Sequence, residues 1–210
     1  MSDTRFPAGA VISFFGDSIT AFDIYQRQVQ TLLNAKEIHS CGVPGSTISG
    51  ARTDTFLARA GQLAPESELV FVFGGVNDFY YGLPLGLPAD EPSPVSFHGS
   101  VRLLTRLVRE QCPKAAVVFA TPLQCTVEAE NGHDGINLRG HTLEQYAEAI
   151  LTVCRSEGVP VIDLYHDGSI TAANAARYLS DGVHPNAEGM TVLAWDIAKG
   201  LKKLSIRPAF

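Results

Sequence analysis

Residues 10–20 read AVISFFGDSIT, and this stretch decides the fold. The apolar run over residues 10–15 ends at Gly16-Asp17, two residue types that favour turns. Apart from Ser13 the run is apolar, on both faces of a strand, which indicates a strand buried on both faces as in a parallel sheet, because a half-exposed strand would alternate. We therefore predict a parallel strand followed by a strand-to-helix turn that carries Ser18.

Working outward from this stretch, similar apolar runs alternate with helical patterns. The further strands are predicted over residues 69–73, 115–120 and 160–164, with a weaker and more polar one over residues 36–41. Helical periodicity covers residues 24–33, 51–63, 97–108, 143–154 and 190–204, the last with Asn186 placed to cap it. Strands that alternate with helices predict an α/β fold, a three-layer α/β/α sandwich around a five-stranded parallel sheet.

The length and composition fit a single globular domain. The chain has 210 residues, of which 45% are hydrophobic and 18% charged, so we expect a single domain over residues 1–210. A net charge of −6 argues against a nucleic-acid partner. The first ten residues lack the apolar segment of a signal peptide, and no stretch approaches the ~20 apolar residues of a membrane span. We expect a cytoplasmic protein with no membrane partner, and a homo-oligomer stays open.

The sequence gives no sign of a metal or an organic cofactor. The four cysteines, at positions 41, 112, 125 and 154, form no Cys-x-x-Cys pair, so we expect reduced and mostly buried thiols. Neither a Gly-x-x-x-x-Gly-Lys nor a Gly-x-Gly-x-x-Gly phosphate motif is present. We therefore predict that the protein uses neither a metal nor an organic cofactor.

Polar residues follow the predicted strands at the points where chemistry is expected. Ser18 follows the first strand, Gly45 the second and Asn77 the third, and Asp181 and His184 come just before the last helix. Ligands of open parallel sheets bind at the carboxyl ends of the strands, so we expect these residues to meet. Acyl transfer needs a nucleophile, a base, a carboxylate that orients the base, and N–H donors for the oxyanion, and each residue type is present.

Four separated blocks resemble those of the SGNH hydrolase superfamily, also called GDSL-type esterases and lipases. They are Gly16-Asp17-Ser18-Ile19, Gly42-x-x-Gly45, Gly75-x-Asn77-Asp78 and Asp181-x-x-His184, in the family's order. Ile19 replaces the commoner Leu, and Ser40 stands where the second block often has Asn. The resemblance runs over nearly the whole chain and implies a flavodoxin-like fold.

The resemblance implies a role for each matched residue. Ser18 would be the nucleophile, His184 its general base and acid, and Asp181 the carboxylate that orients His184. The oxyanion hole would consist of the backbone N–H groups of Ser18 and Gly45 and the Asn77 side chain. Supporting roles at the site would belong to Asp17 and Asp78.

These roles predict a serine esterase acting on a small-molecule ester with a short acyl group, such as acetyl, on a sugar-like or other small alcohol. The family also covers thioester hydrolases, lysophospholipases and arylesterases. One alternative is a non-catalytic module on the same fold that binds a small ligand such as a carbohydrate. A flavin- or phosphate-binding relative of flavodoxin is a second alternative, but it would place a Ser/Thr/Gly-rich loop where Asp17 stands.

Two long segments have open roles. Residues 79–94 are predicted as a loop, and its aromatic and leucine side chains fit a packed flap, an apolar lip of the acyl or alcohol pocket, or an oligomer contact. Residues 123–140 are polar and irregular, with His133 and Asp134 as candidate substrate contacts. Structural or surface roles are expected for the histidines outside the four blocks, at positions 39, 98, 133, 141 and 166.

Overall fold

The computed structural model describes residues 9–50 and 53–204. Its sheet has five parallel strands in the order β2-β1-β3-β4-β5. The strands are β1 (Val11–Gly16), β2 (Glu37–Gly42), β3 (Leu69–Phe73), β4 (Ala116–Ala120) and β5 (Val161–Ile162). The predicted parallel sheet is confirmed, and this strand order is that of flavodoxin-like folds.

The central strands are buried on both faces, as their largely apolar runs predict. Phe14 of β1 and Phe71 of β3 pack into the core on one face of the sheet. Their neighbours Phe15 and Val72 pack into the core on the other face. Successive side chains of a strand point to opposite faces, so a strand between two cores buries nearly every side chain. Ser13, the polar residue within β1, is buried with its hydroxyl hydrogen-bonded to the Ser67 hydroxyl at 2.8 Å.

Helices cover both faces of the sheet. They are α1 (Ser18–Ala21), α2 (Tyr25–Leu33), α3 (Phe56–Arg59), α4 (Val76–Tyr80), α5 (Phe97–Gln111), α6 (Leu143–Glu157), α7 (Ala175–Tyr178) and α8 (Ala187–Lys203). The buried faces of α2 and α8 belong to one core, and those of α5 and α6 to the other, which confirms the three-layer sandwich. No helix within residues 9–50 and 53–204 is long and apolar enough to cross a membrane.

Helix caps account for several boundaries. Asn186 accepts a hydrogen bond from the Gly189 N–H and begins α8, as its position predicts. Thr142 and Gln145 form a reciprocal capping box at the start of α6. At the far end, Gly158 adopts a left-handed conformation that ends α6.

Two predicted elements are much shorter in the structure than the sequence indicates. In place of the helix expected over residues 51–63, the structure has α3 followed by a 3₁₀ turn, Ala60–Gln62. The helix begins only after Thr55, whose side chain accepts the Ala58 N–H and so caps it. Residues 51 and 52 lie outside the described part of the chain. The strand expected over residues 160–164 pairs only at Val161–Ile162. The next residue, Asp163, accepts a hydrogen bond from the Thr121 hydroxyl and begins a turn.

The loop expected over residues 79–94 begins later, since its first two residues end helix α4. A helix of five residues is too short to produce a periodic signal. Tertiary contacts hold it instead, because Phe79 is buried and the Asp78 carboxylate binds the backbone of another loop.

The strand order places the site. β2 lies on one side of β1, whereas β3, β4 and β5 follow in order on its other side. In a parallel sheet a crevice opens where the strand order changes direction in this way, here between β1 and β3, beyond the carboxyl ends of the strands. Ser18 lies two residues after the end of β1, and Asn77 lies four residues after the end of β3. Two of the predicted functional residues therefore flank the crevice that the topology creates.

Candidate active site

Ser18 is the first residue of α1, and Asp17 alone separates it from the end of β1. Asp17 caps this helix by accepting the Ile19 N–H at Oδ1, 3.1 Å away. The helix lies close across the end of β2, where a Cβ at Gly42 would come within 2.2 Å of the Ala21 nitrogen. Gly42 therefore allows the close approach that fixes the turn carrying Ser18 against the sheet.

His184 approaches Ser18 from the loop between α7 and α8. Its Nε2 lies 2.8 Å from the Ser18 Oγ, and its Nδ1 lies 2.7 Å from the Asp181 Oδ2. The other carboxylate oxygen of Asp181 accepts the backbone N–H groups of Val183 and His184 at 3.0 and 2.8 Å. One tight turn thus holds the carboxylate and the imidazole in register and leaves Nε2 facing the hydroxyl.

The Asp181 carboxylate is held in its charged form. Burial raises its pKa, but the hydrogen bonds from the backbone and ring of His184 and from the Val183 N–H outweigh burial and lower the pKa to about 2. A permanent negative charge at Nδ1 favours the tautomer with the proton on Nδ1. Nε2 is then free to accept the proton of the Ser18 hydroxyl.

Gly45 and Asn77 line the same cleft as Ser18 and His184. Gly45 has a φ of +71°, a left-handed conformation that suits glycine. The Asn77 amide Nδ2 donates to the Ser46 carbonyl at 3.0 Å, and its contact with Asp17 Oδ2, at 3.5 Å, is at the outer limit of a hydrogen bond. One amide hydrogen is thus fixed, and the second is weakly engaged and close to the cleft.

Asp17 and Asp78 are both buried near the site. Burial raises the pKa of Asp17 to about 7, and it raises that of Asp78 to about 6. Asp78 accepts the backbone N–H groups of Ile48 and Ser49 at 2.8 Å each, and also the Ser49 hydroxyl. Asp78 therefore ties the segment after Gly45 to the helix that carries Asn77.

Arg59 is a buried residue that the sequence reasoning missed. Its guanidinium donates to the carbonyls of Gly16 at 3.2 Å and Cys41 at 3.0 Å, and to the Ser46 hydroxyl at 2.9 Å. The same group lies over the ring of Phe15, 4.8 Å from its centroid. Arg59 thus joins the ends of β1 and β2 to the loop of Gly45. In the sequence, the one hint of this role is that Arg59 follows the apolar residues Phe56-Leu57-Ala58.

The residues meet in an open cleft of about 350 Å³. Its apolar lining comes from Pro44, Val76, Tyr80, Tyr81, Val127 and Val183. The aromatic residues 80 and 81 therefore do line the cleft, as one interpretation of this segment holds. The leucines do not, because Leu85 packs against the core and Leu87 is exposed.

The remaining predicted candidates lie elsewhere. His133 and Asp134 are almost fully exposed and pair with each other at 3.5 Å, and neither lines the cleft. His98 is buried, with Nδ1 2.9 Å from the Leu85 carbonyl, which is a structural role. Trp195, to which the sequence assigns no role, is 58% exposed on α8.

Comparison with known proteins gives a consistent family. The model of the GDSL-like Lipase/Acylhydrolase family matches residues 14–192. Isoamyl acetate-hydrolyzing esterase 1 homolog of Mus musculus is 28% identical over 94% of this chain and 84% of its own length.

Solved structures share the fold. A protein of Lactobacillus plantarum superposes with a TM-score of 0.83 at 26% identity, covering 94% of this chain and 99% of its own. A possible lipase of Chitinophaga pinensis superposes with a TM-score of 0.72 at 23% identity, covering 94% of this chain and 100% of its own.

Proposed function

The chain belongs to the GDSL-like lipase/acylhydrolase family, and from this premise we propose that it is a serine esterase in which Ser18 attacks a carboxylic ester. The observation that carries the proposal is the continuous line of hydrogen bonds from the Ser18 Oγ through the His184 imidazole to Asp181, at 2.8 and 2.7 Å. This is the relation of nucleophile, base and orienting carboxylate that acyl transfer requires.

The proposed cycle has two halves. His184 takes the Ser18 proton as Oγ attacks the ester carbonyl, and it then gives that proton to the oxygen of the leaving alcohol. The acyl group stays on Ser18 until water, activated by the same imidazole, releases the carboxylic acid. Asp181 remains ionised throughout and stabilises the imidazolium that forms in each half.

The oxyanion is the second requirement of the proposal. The backbone N–H groups of Ser18 and Gly45 and the second amide hydrogen of Asn77 would receive it, because all three residues line the cleft beside the nucleophile. The hydrogen bond to the Ser46 carbonyl and the ties made by Arg59 hold this edge in place before substrate arrives. Such preorganised donors stabilise charge that develops only in the transition state.

The cleft favours a small substrate. A volume of about 350 Å³ is near the lower end of small-molecule pockets, and part of it must hold the reacting atoms. We therefore propose a short acyl group such as acetyl. The mouse relative is named an isoamyl acetate-hydrolyzing esterase homolog, which agrees with an acetyl ester.

The test is hydrolysis of p-nitrophenyl esters from acetate to decanoate by the wild type and by Ser18→Ala. We expect wild-type kcat/KM to fall as the acyl chain lengthens, and Ser18→Ala to lose almost all activity because no nucleophile remains. Ser156→Ala, which removes a hydroxyl on the outer helix α6, is the matched control and should retain wild-type rates.

An aryl phosphonate ester provides a readout that does not depend on the choice of substrate. It should add one phosphonyl group to the wild type and to Ser156→Ala but not to Ser18→Ala, as read by intact mass. Background hydrolysis by the wild type, with no covalent adduct, would contradict the esterase proposal and favour a non-catalytic binding module.

A further inference from the structure

Phe22 is a large apolar side chain that stands in solvent beside the proposed base. It is 52% exposed, and its ring meets the His184 imidazole edge to face, with centroids 5.7 Å apart and planes at 90°. Resting on the esterase function proposed above, we propose that Phe22 forms the subsite for the alcohol half of the ester. The substrates would then be esters of apolar alcohols several carbons long, rather than of sugars.

The position of Phe22 follows from the nucleophile helix. Ser18 begins α1 and Phe22 ends it, in right-handed helical conformation, four residues later. Residues four apart lie on the same face of a helix, one turn from each other. The helix that presents the Ser18 hydroxyl therefore presents the Phe22 ring on the same side, next to His184.

Asp23 holds the turn that follows Phe22, and the Phe22 ring stays exposed to solvent. Asp23 has a φ of 54°, a left-handed conformation that is uncommon for residues other than glycine. Its N–H donates to the Thr20 carbonyl at 3.1 Å, and its carboxylate accepts the Arg27 guanidinium. Ile24, on the other side of Asp23, is also exposed, at 42%.

Proton transfer determines which half of the ester meets Phe22. The leaving oxygen must come within hydrogen-bond distance of the His184 Nε2, so the first carbons of the alcohol lie against that edge of the imidazole. Phe22 is the exposed apolar surface in contact with that ring, and it is not part of the cleft lined by Tyr80 and Val127. The cleft is thus left for the acyl group, and Phe22 for the alcohol.

One exposed phenylalanine is ordinary on a protein surface, so the contact with the imidazole is what gives it a role. A sugar alcohol needs polar side chains to bind its hydroxyl groups, and the Phe22 side chain has no hydrogen-bonding atom to offer them. A branched or linear alkyl chain would instead cover the ring and remove apolar area from water. The chemistry of Phe22 therefore selects for the alkyl alcohol.

The experiment compares methyl acetate with isoamyl acetate for the wild type and Phe22→Ala, by titration of the acid released. Both esters give the same acetyl-enzyme, so any difference in kcat/KM reports the alcohol half alone. We expect Phe22→Ala to lower kcat/KM about tenfold for isoamyl acetate and less than about twofold for methyl acetate. Trp195→Ala, an exposed aromatic on α8, is the matched control and should change neither.

Two results would overturn the proposal: equal losses for both esters, which would make Phe22 a support of His184 only, or no loss for either. A binding readout separates this from failure of the esterase function. In Ser18→Ala, 3-methylbutanol should shift the His184 ring signals in a saturable way, and adding Phe22→Ala should abolish the shift. Saturable binding retained without the Phe22 ring would contradict the subsite, whether or not any ester is hydrolysed.

Discussion

The molecule contains two Asp-x-x-His turns with nearly the same geometry and different surroundings. In the first, Asp163 Oδ2 lies 2.8 Å from the His166 Nδ1, and Oδ1 accepts the His166 backbone N–H at 3.2 Å. In the second, Asp181 makes the same two contacts to His184 at 2.7 and 2.8 Å. The spacing is therefore a local turn that orients an imidazole wherever it occurs.

What the free ring nitrogen faces distinguishes the two turns. The His184 Nε2 faces the Ser18 hydroxyl, whereas the His166 Nε2 lies 3.4 Å from Glu144 and 3.6 Å from Glu148 on α6. A hydroxyl can give up a proton to the ring, but two carboxylates favour a ring that keeps its proton. One turn is suited to a base and the other to a structural cation.

The strongest test of this contrast removes each imidazole in turn. His184→Ala should lower kcat for p-nitrophenyl acetate by roughly 10⁴–10⁶-fold, because Ser18 loses its base. His166→Ala should leave kcat within about threefold, because its ring does not reach the cleft. The comparison would fail if His166→Ala also lost activity by more than tenfold while its melting temperature stayed within a few degrees of wild type.

The carboxylates should separate activity from stability. Asp181→Asn should lower kcat by about 10⁴-fold, because the amide favours the wrong tautomer of His184. Asp163→Asn should change kcat little but lower the free energy of unfolding by about 1–2 kcal/mol, since Asp163 also accepts the Thr121 hydroxyl at 3.0 Å and is the less exposed of the two.

Urea unfolding and ester kinetics on the same two proteins provide the measurement. The expected ranking reverses between them, with Asp181→Asn the worse enzyme and Asp163→Asn the less stable protein. The same ranking in both measurements would mean that the two turns do not differ in role.

Sequence reasoning predicts the parts of the site that depend on local pattern. The apolar runs predict the strands, and the carboxyl ends of parallel strands must share an edge, so Ser18, Gly45 and Asn77 are brought together by topology alone. The Asp181–His184 turn is set within four residues. Its approach to Ser18, 166 positions away, follows from the resemblance and not from the spacing, since residues 163–166 have the same spacing and another environment.

Residues whose roles depend on long-range contacts escape such reasoning. Arg59 is one basic residue in a short helix, and only the folded chain shows that its donors reach the ends of two strands. Phe22 looks like any apolar residue near a helix end, and its position beside the imidazole requires the loop before α8. Helix α4 is too short for a periodic signal and is held by Asp78 and Phe79.

The smallest expected effect concerns the proton on His166. Partial burial lowers the pKa of this imidazole, but the hydrogen bond and charge of Asp163 together with Glu144 and Glu148 outweigh burial and raise the pKa above its ordinary 6.5. A raised folded-state pKa means that the native protein binds the proton more tightly than the unfolded chain. Its contribution to stability is complete below pH 6.5 and is lost as the pH rises through the folded-state pKa.

Replacing Glu144 and Glu148 on α6 tests whether they make His166 differ from His184 in the charge of its surroundings. In Glu144→Gln/Glu148→Gln, the pKa of His166, read from its ring signals by NMR, should fall toward 6.5 because two nearby negative charges are gone. The pH-dependent loss of stability should move to lower pH and shrink, while esterase activity stays unchanged. Glu110→Gln on α5 controls for lost surface charge. An unmoved pKa would show that Asp163 alone sets the protonation of His166, and the two turns would then differ only in their distance from a serine.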